Sequence, residues 1–145
     1  MTDIMAAIGL VQLQRYDSLL QKRRNIIRRY DEMCNELGVM HLNHYTESSS
    51  SSGHLYLTRV PGISDEQRRD IIIKLAEMGV STNVHYKPLP MMSAYKKMGW
   101  DIKDFPNAYA YYENLITLPL HTKLSDEMVE YVIKCFKKVI KEYIK

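Results

Sequence analysis

The stretch LITLPLHTKLSDEMVEYVI, Leu115 to Ile133, carries three structural signals in sequence. Leu115 to Leu120 is apolar and β-branched enough to read as a strand, and Pro119 makes it an edge strand or marks its end. Ser125 stands where a helix N-cap is needed, and the helix it opens runs from Asp126 to about Tyr143. Val129, Val132, Ile133, Phe136 and Ile140 recur at helical spacing and form its inner face. Acid at its start and lysines at its end (Lys134, Lys137, Lys138, Lys141, with Lys145 beyond) suit the helix dipole. A strand handing over to an amphipathic helix needs other elements to cover both.

Those elements lie upstream. Asp104 caps a short helix with Pro106 in its first turn, followed by Ala108, Tyr109 and Tyr112. Ser93 to Met98 is a helical turn, and Pro88 and Pro90 hold the chain before it extended. Val80 to Tyr86 (VSTNVHY) reads as a strand. Ser64 and Gln67 form a capping box for a helix through about Met78, with Ile71, Ile72 and Leu75 on its inner face. His54 to Val60 (HLYLTRV) reads as a strand closed by Pro61 and Gly62. The serine run Ser48 to Ser52 has nothing to pack into a core and reads as loop.

The first segment predicts one long helix, about Thr2 to Leu37, capped by Thr2 or Asp3 and ended by Gly38. Beyond Arg15 it is amphipathic. Before Arg15 it is apolar nearly all round: Ile4, Met5, Ala6, Ala7, Ile8, Leu10, Val11 and Leu13. Such a helix belongs inside something. It would be about 50 Å long at ~1.5 Å per residue, whereas a domain of this size has a radius of gyration of roughly 15 Å. Its apolar end therefore overhangs the body, and either a second copy or a further part of the protein must cover it.

The predicted fold is α+β: a small three-stranded, mainly antiparallel sheet with helices on one face, preceded by a long N-terminal helix. Residues 1–37 form the helix and residues 38–145 the small domain, as a single structural unit.

Composition narrows the function. The chain has 145 residues, 46% of them hydrophobic and 26% charged, which suits one folded domain. A net charge of +3 does not imply a nucleic-acid partner. The basic stretch QKRRNIIRR, Gln21 to Arg29, is interrupted by Ile26 and Ile27 at helical spacing, so it reads as a solvated helix face. Cys34 and Cys135 fall in apolar helical patterns with no CxxC or Cys/His grouping, which predicts two reduced, buried thiols in a cytoplasmic protein. The sequence shows neither a signal-peptide pattern nor an apolar run of membrane-spanning length.

Chemically reactive groups are few. His85, Tyr86 and Lys87 sit where a strand enters a proline-rich loop, a suitable place for substrate contacts. The competing reading is a strand end with two half-buried rings and a surface lysine. His54 and His121, at other strand ends, read as structural. His41 and His44 have no carboxylate or thiol at ligand spacing, so no metal site is expected. No Walker loop, GxGxxG, GxSxG or HExxH is present.

Thr2–Arg15 (TDIMAAIGLVQLQR), His54–Pro61 (HLYLTRVP), Val84–Pro90 (VHYKPLP), Asp104–Ala108 (DFPNA) and Leu115–Ile133 occur in this order, and the ordered set resembles the C-terminal part of the DegT/DnrJ/EryC1/StrS aminotransferases. These are fold-type I pyridoxal-phosphate (PLP) enzymes that place amino groups on nucleotide-linked keto sugars. Three departures stand out: Met5 where the family usually has Gln, Gly53 where an aromatic residue usually precedes His-Leu-Tyr, and Pro90 where a second histidine often follows Pro-Leu.

The resemblance implies a parent enzyme in cell-surface polysaccharide or lipopolysaccharide biosynthesis. It would use PLP, a nucleotide-sugar substrate and an amino donor, with glutamate the expected one. The Schiff-base lysine, the acid on the pyridine nitrogen and the phosphate cradle belong to a large N-terminal domain and have no counterpart in this chain. No catalytic residue, cofactor-binding residue or metal ligand is therefore assigned here. His85 and Tyr86 are the residues expected to face the sugar. The chain is expected to help close the active site, to form a homodimer through the N-terminal helix, and to be inactive alone. A stand-alone interaction or regulatory module that dimerises through the Ala-rich helix is the alternative.

Overall fold

The computed structural model describes residues 1–144; Lys145 lies outside the described residues. Helix α1 spans Asp3–Leu37. The Thr2 hydroxyl accepts from the Met5 amide at its start, and Gly38 closes it in the left-handed conformation at φ 66°. A left-handed cap suits glycine because it has no Cβ to clash. Only the second half of α1 touches the body: Ile26, Ile27, Tyr30, Met33 and Cys34 are buried, while Ile4 (75% exposed), Ile8 (54%) and Leu13 (68%) face outward.

The sheet is three-stranded and antiparallel, in the order β1 (Met40–His41), β2 (Tyr56–Arg59), β3 (Leu115–Leu118). Its class agrees with expectation but its membership does not. VSTNVHY, read as a strand, meets the sheet at one residue: Asn83 exchanges both backbone hydrogen bonds with Thr117, at 3.2 and 2.7 Å. The Asn83 side chain takes the next amide, that of Val84, at 2.8 Å. The pairing stops at that single bridge. The third strand is instead Met40–His41, directly after α1.

Tyr56 and Thr58 on β2 pair with Leu118 and Ile116 on β3, and this face is buried. Against it pack α1, α2 (Asp65–Glu77) and α5 (Asp126–Ile140). Helix α2 carries the expected capping box, with Ser64 and Gln67 each bonding the other's backbone. Helix α5 starts on the Ser125 hydroxyl, which accepts from Met128. Its face runs through Val129, Val132, Phe136 and Ile140 as predicted, Ile133 is only partly buried, Cys135 is buried as predicted, and Val139 is added. Between α2 and β3 lie α3 (Ser93–Lys97) and α4 (Pro106–Tyr112). Asp104 does not cap α4. It closes a tight 3-10 turn, Ile102–Asp104, capped by Asp101, and Phe105 occupies the cap position of α4.

Arg68 of α2 and Arg59 of β2 tie α4 to the helix layer and to the sheet. Arg68 is 2% exposed, donates to the Tyr112 carbonyl and lies 4.3 Å from the centroid of the Tyr112 ring. Arg59 donates to Asn114 and to the Ala110 carbonyl, and sits over Tyr111. Two guanidinium groups at the carbonyl end of α4 complement its dipole.

Candidate functional site

Alternation along β3 creates the site. Ile116 and Leu118 point into the core, so Thr117 points to the other side. There its hydroxyl meets Nδ1 of His85 at 3.0 Å, while the Asn83–Thr117 backbone pair fixes the segment carrying His85. The His85–Tyr86 peptide is cis, and the two rings meet edge to face with centroids 4.7 Å apart. His85 is half-buried and Tyr86 is 70% exposed. Lys87 is exposed and belongs to none of the ion pairs among the described residues.

His85, Thr117, Asn83, Thr82 and His54 line a hollow of about 220 Å³ at the end of β3. The Thr82 hydroxyl is buried there without a hydrogen-bond partner. His54 also borders a second hollow of about 280 Å³, with Tyr16, Arg23, Ser52 and Thr122. His54 thus borders both hollows. Thr117 and Thr82 carry no functional signal in the sequence beyond being polar within largely apolar or strand-like runs. His121 lies apart, in an apolar groove of about 370 Å³ with Gly79, Met128 and Tyr131.

The other two histidines gather around Tyr56. His41 Nδ1 is 3.1 Å from Asp31 Oδ1, the same oxygen that accepts the Tyr56 hydroxyl at 2.7 Å. His44 stacks on Tyr56 at 5.7 Å. Burial pushes the Cys34 thiol, 3.7 Å from the Tyr56 hydroxyl, up to about 12. A thiol so held is protonated and unreactive at neutral pH. Among the described residues, no group of three or more His, Cys, Asp or Glu side chains is arranged to hold a metal ion.

The hollow by His85 offers hydroxyl, amide and imidazole groups suited to a polyol. It has no lysine on its wall, no carboxylate and no row of free amides. This donor set does not fit a covalently held PLP.

A model of the DegT/DnrJ/EryC1/StrS aminotransferase family matches residues 1–137. The chain belongs to this family. Among curated members, the spore coat polysaccharide biosynthesis protein SpsC of Bacillus subtilis is 32% identical over 148 residues, covering 97% of the chain and 37% of SpsC. The UDP-4-amino-4,6-dideoxy-N-acetyl-beta-L-altrosamine transaminase of Campylobacter jejuni is 28% identical, covering 91% of the chain and 35% of that enzyme. Among solved structures, the PLP form of Spr1654 of Streptococcus pneumoniae, a candidate sugar aminotransferase, superposes with a TM-score of 0.93 at 55% identity. It covers all of this chain and 37% of its own. The chain thus spans about 37% of the length of the curated relatives it matches.

Structure also accounts for one departure from the family pattern. Gly53 has φ 65°, and a Cβ there would lie 2.8 Å from Ile27 Cδ1 and 3.3 Å from Arg23 Cβ. Any residue with a Cβ there must displace Ile27 and adopt a positive φ that favours glycine. Among the described residues, no helix is long and apolar enough to cross a membrane.

Proposed function

We propose that this chain acts as the C-terminal small domain of a PLP-dependent aminotransferase for nucleotide-linked keto sugars, in cell-surface polysaccharide or lipopolysaccharide biosynthesis. Residues 1–37 form the helix joining the two domains and residues 38–145 the small domain itself. The supporting observation is the His85 hollow: its wall carries hydroxyl, amide and imidazole groups and neither lysine nor carboxylate. His85 and Tyr86 face the sugar, and Thr117 orients His85. PLP, held by the other domain, supplies the electron sink for amino transfer. The chain's own part is to bind and orient the sugar and to exclude water.

The apolar third of α1 packs on the large domain and contributes to a homodimer. Both thiols are buried and unpaired, as suits a cytoplasmic enzyme. Alone, the chain is inactive. Borohydride treatment of the 145-residue chain with PLP tests this, and a stoichiometric covalent adduct would overturn the reading. In the complete enzyme, His85→Ala and Tyr86→Ala raise KM for the nucleotide sugar and leave the half-reaction with the amino donor intact. Equal loss of both half-reactions would remove the sugar-facing assignment.

A further inference from the structure

His54 is the one residue that lines both hollows described above. On one side is the space of about 220 Å³ that holds His85, Asn83 and Thr117. On the other is the space of about 280 Å³ walled by Tyr16, Leu20 and Arg23 of α1 and by Thr122. A side chain that lines two neighbouring hollows stands between them, and its removal joins the two spaces.

His54 is held in place through the residue before it. Arg23 donates to the Gly53 carbonyl at 2.7 Å. Gly53 also lies so close to α1 that a Cβ there would be 2.8 Å from Ile27 Cδ1. Ile27 is fully buried in the core, and a close-packed interior gives little. Elsewhere on the smaller hollow, Thr117 fixes His85 across 3.0 Å. That hollow is therefore bounded by two imidazoles, each attached to a firm support. A space of fixed size discriminates among ligands by size.

We propose that His54 is a specificity-determining residue: it closes the His85 hollow on the α1 side and so limits the substituent that a bound sugar ring can carry there. This rests on the reading of that hollow as the sugar site. Arg23 is the positioning residue that holds the closure from α1.

The test uses the complete enzyme and two nucleotide-linked keto sugars that differ only in carrying a hydroxyl or an acetamido group on the ring. The readout is the ratio of their kcat/KM values. His54→Ala shifts this ratio toward the acetamido sugar by about tenfold or more, the scale on which a fitted pocket rejects one extra carbon. His54→Gln refills the space and returns the ratio to within about threefold of its native value. Tyr16→Ala enlarges the second hollow alone. With His54 present it leaves the ratio where it was, and in the His54→Ala background it widens the shift. That dependence is expected of a partition and not of a simple contact. Tyr16 is 48% exposed and His54 is exposed, so both are truncated without opening the core, and urea unfolding checks that the fold is kept. A ratio unmoved by His54→Ala would overturn the proposal, as would an equal shift from Tyr16→Ala alone. His85→Ala separates the two levels of the reading. If it leaves KM for both sugars unaltered, the hollow is not the sugar site and the proposal falls with it. If it raises KM while His54→Ala leaves the ratio unmoved, only the partition is lost.

Discussion

The Thr117 hydroxyl and Nδ1 of His85 lie 3.0 Å apart, and this bond fixes the imidazole to the rim of the sheet. Thr117→Val keeps the shape and removes the partner. The expected cost is about 1 kcal/mol in urea unfolding, the usual worth of a neutral hydrogen bond. The His85 ring should also gain mobility, visible as altered ring resonances, while Thr117→Ser retains both stability and ring order.

Gly53 and Ile27 touch so closely that Gly53→Ala must move one of them. The positive φ adds strain for any residue with a Cβ. A loss of about 1–2 kcal/mol is expected. The second-site change Ile27→Val should recover part of it if contact rather than φ dominates, and a double-mutant cycle measures the split.

Arg68→Ala removes a buried cation, its bond to the Tyr112 carbonyl and its packing on the Tyr112 ring. A loss of about 2–3 kcal/mol is expected, because the carbonyl is left without a partner. Arg69→Ala, one residue on, breaks only a surface pair with Asp65 and should leave the unfolding midpoint nearly unchanged.

Burial holds His44 below the ordinary imidazole value of 6.5; the Asp31 carboxylate opposes this and His41 adds to it. On acidification the unfolded chain takes up this proton before the folded one. The stability it confers is therefore full above about pH 7 and declines as pH falls through about 6. His44→Phe keeps the stacking on Tyr56 and should flatten the unfolding midpoint between about pH 7 and 5. An unchanged slope would remove His44 as the source of the pH dependence.

Ile4 and Ile8 have little packing in this chain, whereas Ile27 is fully buried. Ile4→Glu with Ile8→Glu should leave the unfolding midpoint in place and reduce self-association in sedimentation experiments. Ile27→Ala should cost about 2–4 kcal/mol.

Much of the fold was legible because its signals are local. Thr2, Ser64 and Ser125 each cap a helix through an amide three residues away, and the buried faces of α2 and α5 follow from spacing within single helices. The overhang of α1 followed from length and composition alone. Of the two candidates read from the strand-like run before the prolines, His85 lines the hollow and Tyr86 does not. His54 and Thr117 line the hollow with His85 from tens of residues away along the chain, and a polar residue in a strand does not announce which neighbour it will meet.

The sequence by itself determined α1, α2 and α5, the N-caps Thr2, Ser64 and Ser125 and most of their apolar faces, because capping and periodicity act within one or two turns. Only the tertiary structure decided that Met40–His41 rather than VSTNVHY completes the sheet, that Arg68 is buried against Tyr112, and that His85 rests on Thr117. Each of these depends on which distant backbone or side-chain group satisfies a hydrogen bond, and that choice is made when the elements pack.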